Sequence, residues 1–162
     1  MSKSPEDVLL QLIDDVATLH MASIRPDGSP NLSYAPFLLD ENGAYYIFVS
    51  QLASHTEDLL THPTVTIMLS EDEKNTRQIF ARTRLTYTCS VEEVLREDKS
   101  YQKTLDLMAQ KFGNIINLLR DLPDFILFKL VPKEGRFVMG FGQAYILEGE
   151  ALQRLKPIKN ED

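Results

Sequence analysis

One cysteine, Cys89, occurs in the 162 residues, so no disulfide can close within the chain, which fits a reducing, cytoplasmic setting. Positive charge is scarce too: 17 Lys and Arg stand against 24 Asp and Glu, for a formal net charge of −7 and a pI near 5.0. Nucleic-acid binders gain most of their affinity from clustered Lys and Arg, so this balance speaks against a nucleic-acid partner while leaving room for a local basic pocket. No long apolar run opens the chain. MSKSPEDVLLQLIDD interleaves acids with its apolar residues and reads as neither a signal peptide nor a membrane span. A P-loop, a dinucleotide fingerprint and a Ser-His-Asp spacing are missing as well. His55 and His62 have no cysteine or paired carboxylates at ligand spacing, so no metal site is expected. Cys89 falls on an apolar face away from any helix start and does not read as a nucleophile. His20, in an apolar stretch, reads as a core histidine.

What is present is enough hydrophobic residue, 43%, for one domain over residues 1–162 with a real core. Ser4 and Pro5, followed by Glu6 and Asp7, have the form of an N-cap, a first-turn proline and acids facing the helix dipole. Val8, Leu9, Leu12, Ile13 and Val16 then fall on one stripe, which predicts a helix within residues 1–17. From Thr18 the pattern changes to short apolar runs divided by turn signals, Pro26-Asp27-Gly28 and Asp40-Glu41-Asn42-Gly43, each a hairpin signature. The sequence therefore predicts an antiparallel meander.

The chain is organised around AYYIFVSQLASHTEDLLTHP, residues 44–63. A strand-like run there empties into a turn, and Ser54, His55 and Thr56 open a helix, which makes a candidate anion site. Ser54-His55-Thr56-Glu57 is equally a capping box that needs no ligand. In QIFARTRLTYTCSV, Ile79, Ala81, Leu85, Tyr87 and Cys89 alternate with a polar face that carries Arg82 and Arg84. That face reads as an anion site or as a solvated strand. Tyr101, Leu105, Met108, Phe112, Ile115 and Leu119 predict one long helix, an insertion at about residues 99–120. PDFILFKLVP is apolar on both faces, like the Tyr45 to Val49 run, so both are expected to be central in the sheet or covered by a second subunit. Gly140 and Gly142 flank Phe141 inside a strand pattern, which marks a bulge, a barrel corner or a close ligand. Residues 148–162 read as a tail. Together these features predict a mainly β fold with helices, an antiparallel barrel over residues 18–147 with helical decoration.

Three blocks carry a resemblance: SPNLSYAPFLLDENGAYYIFVSQLASHTEDLLTHP, NTRQIFARTRLTYTC and DFILFKLVPKEGRFVMGFGQAY. In this order they resemble the pyridoxamine 5'-phosphate oxidase-like split barrels, and within these the haem-utilisation branch. The resemblance implies a split β-barrel homodimer with flavin mononucleotide (FMN) at the subunit interface, or haem in the same place. By position it puts the flavin phosphate against Ser50, Ser54, His55 and Thr56. Arg82 and Arg84 would lie beside the flavin, and Asn31, Ser33 and Tyr34 would line its ring edge. Ser54-His55 stands where many relatives have Arg-Lys, which implies weaker phosphate binding. The C-terminal Arg and His motif of vitamin oxidation is missing, so that activity is disfavoured. The branch holds iron through a late histidine, and none follows His62 here. Phe137, Met139, Phe141 and Tyr145 are the expected lining of a flat haem pocket. The readings are therefore an FMN-dependent oxidoreductase, a haem-binding protein, and a non-enzymatic dimeric module.

Overall fold

The strand β7 (Phe125–Gly140) is the spine of the sheet, because three other strands pair with it. In this computed structural model, which describes residues 3–159, one edge of β7 pairs with β6 (Arg84–Val94) from Leu127 to Val138. The other edge is shared. Its first half takes β4 (Tyr45–Ser50) and its second half takes β8 (Gln143–Glu148). The changeover comes near Pro132, which lacks a backbone donor and sits where the register with β6 slips between Thr88 and Cys89. With β1 (Thr18–Ile24), β2 (Pro30–Pro36), β3 (Leu38–Leu39), β5 (Thr64–Ser70) and β9 (Arg154–Pro157), the sheet has the order β2-β1-β5-β6-β7-β4-β3. β8 and then β9 extend it from the second half of β7, and every pairing is antiparallel. Both predicted hairpins form, but they are not a continuous meander, because β5 and not β2 lies on the inner side of β1.

Alternation fills the barrel. Leu19, Met21, Ile47, Ile67, Leu69, Leu85, Phe128, Leu130 and Phe137 are fully enclosed, and each such side chain contributes about 1.5–3 kcal/mol. The helix α1 (Pro5–Asp15) closes one part of this core with Leu9 and Leu12. Ser4 caps it by accepting from the Asp7 amide at 3.1 Å. A second cluster lies on the other face of β4 and β7, where Ala44, Tyr46, Phe48 and Leu127 meet Tyr101, Leu105 and Met108 of α3 (Lys99–Phe112) and Ile116 of α4 (Ile115–Leu119). Strands apolar on both faces are thus covered from within the same chain and require no second subunit.

Several expectations are corrected. The long helix breaks at Gly113, where φ is +88°, so Ile116 rather than Ile115 turns inward. β6 begins only at Arg84, because Ile79–Ala81 is one turn of 3-10 helix that leaves Ile79 and Phe80 exposed. The bulge expected at Gly140 and Gly142 does form, since the register of β7 with β8 slips between Val138 and Gly140 at the hairpin tip, with φ of +68° at Gly142. A Cβ at Gly140 would meet the Gln143 side chain, and the close approach to core atoms is at Gly135, where a Cβ would lie 2.7 Å from Leu147 and the Tyr87 ring. The tail forms β9, pinned where the Tyr87 hydroxyl donates to the Leu152 carbonyl at 3.2 Å; residues 160–162 lie outside the described part. No helix among the described residues is long and apolar enough to cross a membrane.

Candidate functional site

The turn after β4 is tied by side chains before any ligand is considered. Leu52 N–H donates to Ser50 Oγ at 3.1 Å, and the Thr56 hydroxyl donates to the Ser50 carbonyl at 2.5 Å. Ser50 Oγ itself donates to Asp124 at 2.9 Å. These bonds start α2 (Ser54–Thr61) one residue earlier than a Ser54 cap allows. Ala53 is the N-cap, without a side-chain bond, and the expected Ser54–Glu57 capping box does not form. Ser54 Oγ accepts instead from Asn31 Nδ2 at 3.0 Å.

Behind Ser54 lies a carboxylate absent from the sequence reading. Asp58 is almost wholly buried, and its Oδ2 accepts from Ser23 Oγ at 2.7 Å and from Asn31 Nδ2 at 2.9 Å. Arg25 extends the network, donating to Asn31 Oδ1 at 3.2 Å and to the Pro30 carbonyl at 2.8 Å. A buried carboxylate needs such donors. His55, half-buried, keeps Nε2 enclosed without a partner; burial lowers its pKa, with Asp58 pulling the other way. The structure therefore joins Asn31, Ser50, Ser54 and Thr56 around one helix start, but their hydroxyls and amide are already in use. A phosphate placed there would also face Asp58, a poor fit for an anion.

The other expected contacts lie elsewhere. Ser33, across from the enclosed Met21, points inward with an unpartnered buried hydroxyl, whereas Tyr34 points outward at 64% exposure. Arg82 is held by its own loop, donating through Nε to the Glu71 carbonyl at 2.5 Å with Glu73 at 3.8 Å. Arg84 donates to the Arg82 carbonyl at 3.0 Å. Ala22, next to Ser23, pairs with Thr66, and Arg84 pairs with Ser70. The arginine end of the sheet is therefore about 17 Å along the strands from the Asn31 end. Phe137, Met139, Phe141 and Tyr145 do not make one pocket: Phe137 is fully enclosed and Phe141 stands 70% exposed at a hairpin tip.

The register builds a different surface. Direct cross-strand partners place Tyr34, His20, Met68, Thr86, Arg136, Ile146 and Lys156 in one row on the outer face of the sheet, from β2 across to β9. Ala22 and Leu32 flank this row on one side, and Arg84 and Val138 on the other. His20 is exposed there and not in the core, because Leu19 and Met21 take the inward positions of β1. That alternation was visible in TLHMASI, although the apolar neighbours obscured it. The face combines apolar side chains toward β2, Leu32, Tyr34 and Met68 among them, with the guanidinium groups of Arg84 and Arg136 toward β6 and β7, a donor set suited to an apolar ring bearing carboxylates.

Comparison with known proteins follows this geometry. A family model described as pyridoxamine 5'-phosphate oxidase matches residues 6–139. The chain is 42% identical over 135 residues to the haem oxygenase HutZ of Vibrio cholerae, covering 83% of this chain and 76% of HutZ. The crystal structure of HutZ, described there as a haem storage protein, superposes with a TM-score of 0.77 at 36% identity over 81% of this chain and 92% of that one. Campylobacter jejuni ChuZ gives 0.85 at 28% identity over 98% of this chain, which spans 64% of ChuZ. The chloroplastic haem oxygenase HOZ of Arabidopsis thaliana is 29% identical over 128 residues, 79% of this chain and 37% of HOZ.

Proposed function

This chain belongs to the pyridoxamine 5'-phosphate oxidase family, and from that premise we propose that it is a cytoplasmic haem-binding protein of haem utilisation, one domain that takes the porphyrin onto its outer sheet face. The observation that carries this reading is the identity with a haem oxygenase over most of both chains. The outer face supports it. Leu32, Tyr34 and Met68 offer apolar surface for a ring, and Arg84 and Arg136 offer charge for its carboxylates. Bound haem would supply the iron chemistry. The chain's own residues cover a ring face, pair the carboxylates and exclude water.

FMN is the second reading, favoured by the family match. It ranks behind haem because the helix start that would take its phosphate is occupied by Asn31, Ser54 and Asp58 bonding to one another. We further propose a homodimer that covers the ring between two copies. Leu32 at 76% exposure and Tyr34 at 64% leave an apolar patch of the kind partners cover. Titration of the purified chain with haemin, and separately with FMN, tests the assignment. A saturable Soret band is expected with haemin; saturation with FMN alone would overturn it. Sedimentation of Leu32→Asp, expected to shift the chain toward monomer, tests the assembly.

A further inference from the structure

We propose that His20 is the iron ligand of that haem, an inference that rests on the haem-binding reading above. The sequence contains three histidines: His20, His55 and His62. The Nε2 atoms of His55 and His62 are buried within the protein, so neither imidazole presents that nitrogen to a group outside. His20 is exposed on the outer face. It sits on β1, which is paired by β2 on one side and by β5 on the other, so its backbone is fixed from both edges. Imidazole is a common ligand for haem iron.

The position also sets the orientation of the ring. A ring held by a histidine projecting from a sheet would lie over the side chains around it. Directly across the strands from His20 are Tyr34 and Met68, and Ala22 with Leu32 form the adjoining row. These side chains form the apolar floor on which a ring centred on His20 rests. Arg136 lies in the same row three strands away, about 14 Å between backbones at ~4.8 Å per strand. Arg84 lies two strands away, one row over. Reaching back from there, Arg136 would meet a carboxylate at the ring edge, and Arg84 would do so on leaving the Arg82 carbonyl to which it donates at 3.0 Å. Of the acids on this face, Glu134 lies on β7 itself, one row from Arg136 on the Ala22 and Leu32 side, and Glu148 lies on β8, already paired to Arg154 at 3.6 Å. The charges therefore favour carboxylates toward Arg84 and Arg136, on the side of the row away from Glu134.

The test is haemin titration of the full-length chain followed by absorption and electron paramagnetic resonance spectra. Wild type, His20→Ala and Tyr34→Phe are compared, each with and without added imidazole. His20 is exposed, so its removal leaves the fold in place; circular dichroism checks this. His20→Ala is expected to lose the histidine-ligated spectrum and to weaken binding by at least the roughly tenfold that loss of a mere supporting partner costs. Imidazole restores the spectrum, and Tyr34→Phe keeps it. A His20→Ala spectrum and affinity equal to wild type would overturn the ligand assignment while haem binding stands. A spectrum lost in Tyr34→Phe but kept in His20→Ala would transfer the role to the phenolate. Failure of the wild type itself to saturate with haemin would remove the haem reading, and this inference with it.

Discussion

Asn31 donates one amide to two acceptors, Ser54 Oγ at 3.0 Å and the enclosed Asp58 carboxylate at 2.9 Å. Strand β2 is thereby fastened to helix α2, and the carboxylate is satisfied from the protein side. Truncating the amide in Asn31→Ala leaves Asp58 with Ser23 as its remaining side-chain donor. The expected loss is about 1–3 kcal/mol, the cost of an underbonded buried polar group, read as a lower urea midpoint at unchanged slope. An unaltered midpoint would mean that water replaces the amide.

Gly135 leaves no room for a methyl group, since a Cβ there would meet Leu147 and Tyr87 at 2.7 Å. Both neighbours, the Leu147 Cδ1 methyl and the Tyr87 ring, are packed in the barrel core. Gly135→Ala is expected to destabilise by about 1–3 kcal/mol through overpacking, measured by thermal or chemical denaturation. Stability equal to wild type would show that the hairpin shifts freely.

Burial pushes the Cys89 thiol up to about 12. Because the thiolate is the reactive form, the folded protein is expected to resist a disulfide reagent at neutral pH and to release one equivalent when unfolded in urea. Fast labelling of the native chain would contradict the enclosed position of β6.

His55 gives the stability a pH dependence. Its folded pKa lies below the usual 6.5, chiefly through desolvation and against the pull of Asp58. In the unfolded chain the ring takes a proton near 6.5, while in the folded chain it stays neutral to lower pH. Its stabilising contribution is therefore present above 6.5 and is lost as pH falls through the folded value. Between about pH 7 and about pH 5 the wild type should lose more stability than His55→Gln; parallel curves in urea melts at several pH values would count against this.

Local signals were legible in the sequence. The Ser4 cap, the two turn motifs and the inward alternation of Leu85, Tyr87 and Cys89 all appear where the residues place them. Signals that depend on distant partners were not. Ser54 looked like a cap until Ser50 and Thr56 closed the turn between themselves. Helical spacing ran unbroken through Gly113, because periodicity cannot register one residue at positive φ. The network at Asp58 joins Ser23 and Asn31 from far along the chain, and no local spacing announces it. The row through His20 exists only once six cross-strand registers are known.

The shared edge of β7 also orders events during synthesis. Tyr45 has Leu39 of β3 on one side but meets its other partner only in Leu130, and Ser50 pairs only with Phe125. Until the ribosome has released that late strand, β4 has β3 as its sole neighbour and exposes one open edge of mostly apolar residues. The nascent chain therefore passes through a long interval in which that edge is open to wrong partners. Closure then follows in order: β7 arrives to complete β6 and β4, and β8 and β9 add to its second half after it.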